Sequence, residues 1–175
     1  MFRIRTLLAV LCLGAMLLMA VGCYETEYPL GSADTATVDP NYVGDFVMTA
    51  DHKTDALTIR NIDNHLYYVE WTEDNKTNRI AGYTATVNGT LFANLRDLTD
   101  DGSIDKKYLI MRISLSDDHN RLTLRNLKDD FFKDKNINSS EALQTVIAQN
   151  VDNEQMYDGD AVVATRVAPT TQPGQ

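Results

Sequence analysis

The chain has 175 residues, 43% of them hydrophobic and 23% charged, and its 25 acidic against 16 basic side chains give a formal net charge of −9. No basic cluster stands along it. This argues against nucleic acid as a partner, whose phosphates need a positive footprint, and against docking on anionic lipid headgroups through protein charge. The cysteines are Cys12 and Cys23, so everything after residue 23 lacks a thiol for a disulfide, a zinc site or a nucleophile, and the acidity reads as solubility.

The N-terminus reads MFRIRTLLAVLCLGAMLLMAVGC. Arg3 and Arg5 make a short basic start, and the apolar run from Leu7 to Val21 follows. That run is shorter than the roughly 20 residues a bilayer span needs, and it has the shape of the apolar core of a secretory signal. The alternatives are an ordinary secretory signal with a chance cysteine and a transmembrane anchor. Ala20-Val21-Gly22-Cys23 resembles the lipobox of bacterial lipoproteins, with Ala20 where leucine is commonest. The resemblance implies a signal peptide over residues 1–22, cleavage before Cys23, and lipid attachment, palmitate included, on Cys23. Stable anchoring takes more than one acyl chain. Tyr24, rather than Asp, follows the cysteine, which by the same resemblance points to the outer membrane, facing the periplasm.

Residues 24–40, YETEYPLGSADTATVDP, lack periodicity and are rich in turn formers, so residues 23–41 are expected to be a lipidated cysteine and flexible tether. Short β-like runs follow. Tyr42–Met48 is the first. Ala56–Ile62 sets Leu57, Ile59 and Asn61 against Thr58, Arg60 and Ile62, turns at Asp63-Asn64, and returns as His65–Thr72, rich in residues that suit a pleated surface. EDNKTN is a polar turn. Ile80–Val87 meets Asn88-Gly89, the dipeptide best suited to a two-residue hairpin because both positions need positive φ. TLFANLRDL leaves that turn. Lys107–Leu115 puts Leu109, Met111, Ile113 and Leu115 on one face, and Arg121–Leu127 returns after SDDHN. DDFFKDKNI is expected to be a helical turn. NSSEALQTVIAQN has helical rather than alternating period, with Asn138 and Glu141 at capping-box spacing and Leu143, Val146 and Ile147 as its apolar stripe. Asp160–Val167 closes the series, and residues 168–175 form a polar, disordered tail.

The fold expected is mainly β: an antiparallel meander of about eight strands over residues 42–167, with a helix before the last strand. Closing the sheet into a barrel removes its two aggregation-prone edges. The late helix is placed to plug or cover one end. A strongly curled open sheet packed on that helix is the alternative.

The order of elements resembles the lipocalin-like, or calycin, class, with Gly44-Asp45-Phe46 where lipocalins carry Gly-x-Trp. Phenylalanine for tryptophan and the missing disulfide are departures. The chain also resembles small bacterial lipoproteins with a KYLIMR-like strand, an RLTLRNL-like strand and a helix near SSEAL. That likeness implies no activity.

DLTDDGSIDKKY, residues 97–108, imitates a calcium loop. With Gly102 at the bend position of an EF-hand, Asp97, Thr99, Asp101 and Asp105 fall at donor positions. The twelfth position, which should carry a bidentate glutamate, is Tyr108, and both flanks read as strands. A hairpin turn with carboxylates in water is the plainer reading, leaving Asp97, Asp101 and Asp105 as a weak metal candidate. His52, His65 and His119 lie in or beside polar turns without convergent spacing. No Gly-x-Ser-x-Gly, His-Glu-x-x-His or phosphate-loop pattern is present, and the pairs Asp100-Asp101 and Asp129-Asp130 fall in turns, where no shifted acid is expected. The matches to the N-glycosylation pattern at Asn75, Asn88 and Asn138 are taken as chance beside a bacterial lipobox.

In a barrel, one face of the Tyr67, Tyr68, Trp71 stretch lines an apolar cavity or simply fills the core. Arg60, Arg112, Arg125 and Arg166 could hold an anionic headgroup if two of them point inward, and alternation places Arg112 outward. The expectation is therefore a non-enzymatic envelope lipoprotein with no cofactor, binding a small apolar or amphipathic ligand near Tyr67, Tyr68 and Trp71. The alternative is a filled barrel acting as an envelope subunit or protein-interaction module.

Overall fold

The structure, a computed structural model, describes residues 23–50, 53–73, 75–99 and 102–168. The signal segment, His52, Asp100, Asp101 and most of the tail lie outside these residues.

After a two-residue strand, β1 (Glu25–Thr26), come β2 (Gly44–Ala50), β3 (Lys53–Asn61), β4 (Tyr67–Glu73), β5 (Lys76–Val87), β6 (Thr90–Asp97), β7 (Tyr108–Leu115), β8 (Arg121–Asn126), the helices α1 (Asp129–Phe132) and α2 (Ser140–Asn150), and β9 (Val162–Arg166). Each strand from β2 to β8 pairs antiparallel with the next, β9 pairs with β8, and β9 also pairs with β2. The meander is thus a closed eight-stranded antiparallel barrel, with β1 added against the start of β7. The open-sheet alternative is excluded, because the closing register runs Phe46 to Arg166 and Met48 to Ala164.

The turns follow local chemistry. Asn88 and Gly89 have φ of 48° and 77°, the mirror-image turn whose twist matches its strands. The β3–β4 connection is longer than Asp63-Asn64 alone: the Asp63 carboxylate accepts from the backbone N–H groups of His65 and Leu66, an Asx-type brace. The β4–β5 turn is shorter than EDNKTN, since Lys76–Asn78 already pair with β4.

Alternation divides the barrel wall into two faces. Inside lie Phe46, Met48, Leu57, Ile59, Val69, Met111, Leu122, Leu124 and Ala164. Outside β5, β6 and β7 a second apolar layer forms from Val87, Phe92 and Ile110 under Leu143 and Ile147 of α2, with Tyr24, Leu30, Leu127 and Met156. The helix therefore lies on the outer wall and does not plug an end. Its apolar stripe shows which side of the helix is buried, and the outward-facing alternate residues of three strands supply the partner. Its N-cap is Ser139, one residue after the expected position: the Ser139 hydroxyl accepts from Ala142 N–H at 3.1 Å.

The largest correction concerns residues 23–41. The expected tether is folded onto the barrel. Tyr24 is 7% exposed and Leu30 0%; the Tyr24 ring stacks on Phe132 at 4.1 Å. Fully buried Asn94 grips Leu30 from both sides, accepting from its N–H at 2.7 Å and donating to its carbonyl at 3.1 Å. Beyond Leu30 the segment crosses one mouth of the barrel. Val38 N–H donates to Asn64 carbonyl, the Tyr67 hydroxyl accepts from Asp39 N–H at 2.6 Å, and Val38, Tyr42 and Val43 pack on the interior cluster.

Candidate functional site

The inner wall is the first place to look for a site. β4 supplies Tyr67, Val69 and Trp71 to it, opposite Leu95 of β6 and Met111 and Ile113 of β7. Tyr67 and Trp71 therefore lie where the sequence places them, along the interior. Tyr68 does not join them. It has the opposite parity, and its hydroxyl donates to Glu70 Oε1 at 2.7 Å on the outer face. One face of a strand carries alternate residues only, so adjacent tyrosines cannot both point inward.

The interior is nearly full. About 60 Å³ of open space remains among these side chains, and the surface it exposes is apolar. Pockets for small ligands usually measure about 300–1,000 Å³. One polar group on this wall is unsatisfied: Trp71 Nε1 is buried and has no hydrogen-bond acceptor among the described residues. Tyr67 is occupied, bound to both backbone groups of Asp39. Burial holds the Tyr67 hydroxyl above its ordinary pKa, and the Asp39 N–H pulls against it.

At the closed mouth, Arg166 follows the inward register of Ala164 but is fully committed to structure. Its guanidinium stacks over Phe46 at 4.5 Å and donates to the carbonyls of Asn41, Val43 and His119. Gly44 makes room for it, since a Cβ there would collide with Arg166 Nη1. Arg60 points outward onto Asp45 at 2.7 Å. Arg112 and Arg125 also point outward, so no two of these four arginines meet inside the barrel.

The loop resembling a calcium site closes as a hairpin. Leu98 bridges Ile104, Thr99 N–H donates to Ser103 carbonyl, and Gly102 takes φ 81°. Burial, with Asp105 and Glu25 adding repulsion, raises the Asp97 pKa. Asp101 lies outside the described residues, among which no group of three metal-ligating side chains converges. His65 Nδ1 donates to Ala36 carbonyl at 2.6 Å, and His119 occupies a left-handed turn position with φ 57°.

Cys23 is exposed and bridges Lys128 at the edge of the folded body. Partial desolvation, then the nearby Asp158 carboxylate, raises its thiol pKa. This is the opposite of what a nucleophilic cysteine needs. Among the described residues no helix is long and apolar enough to cross a membrane.

The class the architecture defines is an antiparallel up-and-down barrel closed by its first and last barrel strands. Beyond that class, the chain matches no protein-family model, no curated protein and no solved structure.

Proposed function

We propose that this chain is a lipid-anchored bacterial envelope lipoprotein. Its lipocalin-like barrel serves as a non-enzymatic structural or protein-interaction module, with the contacts that matter on its outer wall. The observation that carries this reading is the interior of about 60 Å³, too small for an acyl chain or a ring system. The anchor rests on the basic start, the apolar run and Ala20-Val21-Gly22-Cys23. The exposure of Cys23 fits a residue open to modification.

Anchoring at Cys23 would leave almost no slack. Tyr24 is buried against Phe132 and its N–H is bound to Leu127 carbonyl, so the lipid would hold the outer wall near β8 and α1 directly at the membrane, on the periplasmic face of the outer membrane.

A second reading, the binding of a slender apolar or amphipathic ligand, is favoured by one observation. The orphaned Trp71 Nε1 would be satisfied by a carbonyl or carboxylate entering beside it.

Native and denaturing mass spectra of the exported full chain separate the readings. The module reading expects the acylated chain mass and no further small molecule in the native spectrum, with Cys23→Ser abolishing acylation. A stoichiometric companion released on denaturation would replace it with the ligand reading. An unacylated Cys23 in an exported chain would remove the anchor.

A further inference from the structure

We propose that Arg112, Arg125, Ser114 and Thr123 form a binding site for a phosphate-type oxyanion on the outer wall of the barrel. The register of β7 on β8 sets Arg112 directly opposite Arg125 and Ser114 directly opposite Thr123. Ile113, Leu122 and Leu124 fill the interior, so the four alternate residues face outward together. With Glu154 they line a groove of about 290 Å³.

Like charges directly opposite each other in a sheet repel, so the arginine pair needs compensation. Part of it is present. Both guanidiniums lie over the Tyr157 ring, Arg125 at 4.4 Å and Arg112 at 5.6 Å, and Arg125 Nη2 meets Glu154 Oε2 at 2.7 Å. Asp160 lies within electrostatic reach of Arg125. The compensation is incomplete in a way that points to an acceptor. Arg125 Nε is buried without a hydrogen-bond partner. Arg112 has no carboxylate within 4.0 Å among the described residues, and its one side-chain hydrogen bond is a long 3.5 Å contact to Tyr157 Oη. Ser114 and Thr123 are the next outward pair along the two strands and line the same groove. Two planar forks and two hydroxyls around one space are the donor set a tetrahedral oxyanion takes. Glu154, 76% exposed, is the competitor such an anion would displace, and exposed ion pairs of this kind hold weakly.

The source of the oxyanion, a soluble phosphate or a phospholipid headgroup, is separable by experiment. The full chain is titrated with inorganic phosphate at low ionic strength, following the backbone amide signals of β7 and β8. The expected result is saturable, millimolar binding that sulfate competes for. Arg112→Gln should weaken it at least tenfold, and Arg112→Lys should restore it only in part, because an ammonium lacks the fork. Glu154→Gln should tighten it several-fold. No saturable shift in the wild type, or equal binding by wild type and Glu154→Gln, overturns the site, and the second comparison stands even where an arginine variant fails to fold. Flotation of the unacylated Cys23→Ser chain on phosphatidylglycerol vesicles, abolished by adding Arg112→Gln, identifies the headgroup as the source. Phosphate binding without flotation identifies a soluble phosphate, and the site stands in both cases.

Discussion

Replacing Asn94 by alanine tests whether residues 23–43 belong to the barrel. Asn94 is 0% exposed and sits between β6 and the segment lying over it, bound to both backbone groups of Leu30 at 2.7 and 3.1 Å. Alanine leaves a donor and an acceptor of Leu30 buried with nothing in reach. Each unsatisfied group costs about 1–3 kcal/mol, so the pair costs about 2–6 kcal/mol if the segment stays in place. Releasing the segment exposes Tyr24 and Leu30, at about 1.5–3 kcal/mol for each large side chain. The loss should therefore fall at about 2–6 kcal/mol, with the segment peeling away at the upper end. Urea denaturation gives the magnitude from the midpoint and slope, and amide exchange at Tyr24, Leu30 and Val38 reports the peeling. A loss below about 1 kcal/mol with exchange unchanged would mean that Leu30 finds other partners, and the clamp argument would be refuted.

Gly44→Ala should destabilise the barrel by about 2–4 kcal/mol, because the new methyl displaces an Arg166 side chain held by three backbone carbonyls. In an Arg166→Ala background the same substitution should cost far less, and equal costs in a double-mutant cycle would contradict the collision. Asp118 should titrate at about 2, held down first by the Ser116 hydroxyl and then by Asn120. A depressed carboxyl stabilises the fold above its unfolded pKa, and that contribution fades as pH falls through the folded value. Carbon-detected NMR should therefore show the midpoint rising toward the ordinary range in Ser116→Ala; an unmoved midpoint would rule that cause out. Asp97 has the opposite sign: its raised pKa makes the ionised form unfavourable in the folded chain, a penalty present at neutral pH and relieved as pH falls through the folded value. Asp97→Asn should raise Tm at pH 7 and lose that advantage in acid, and equal Tm values at pH 7 would count against the burial of the Asp97 charge and its crowding by Asp105 and Glu25.

What the sequence revealed and what it hid divide along range. Leu57 with Ile59, and Leu122 with Leu124, announce their strands because alternation is local. Asn88-Gly89 announces its turn because positive φ is a demand on two adjacent residues. Residues 24–40 carry no period, since their burial depends on isolated anchors and on Asn94, 64 positions from Leu30. A polar residue in a strand gives no notice that it will serve a distant backbone. The stripe on α2 was legible, but its docking face was not, because the outward residues Phe92 and Ile110 look like ordinary members of their strands. Tyr68 was misplaced with its neighbours although parity alone separates it from Tyr67. The juxtaposition of Arg112 and Arg125 needs the register across the SDDHN turn, which the sequence leaves open by a residue or two.

Closure between β2 and β9 also sets a schedule. The first strand of the barrel waits for the last, so Phe46 meets Arg166 and Met48 meets Ala164 only once nearly all the intervening chain has been delivered. Until then the growing sheet keeps two raw edges, each able to recruit a stray strand from another molecule, and the long-range contact that seals it is of the kind that forms slowly. A chain that stops short of Val162 would lose the seam along the whole wall, so the final five-residue strand acts as the fastening that determines whether the other seven become a barrel or an adhesive sheet.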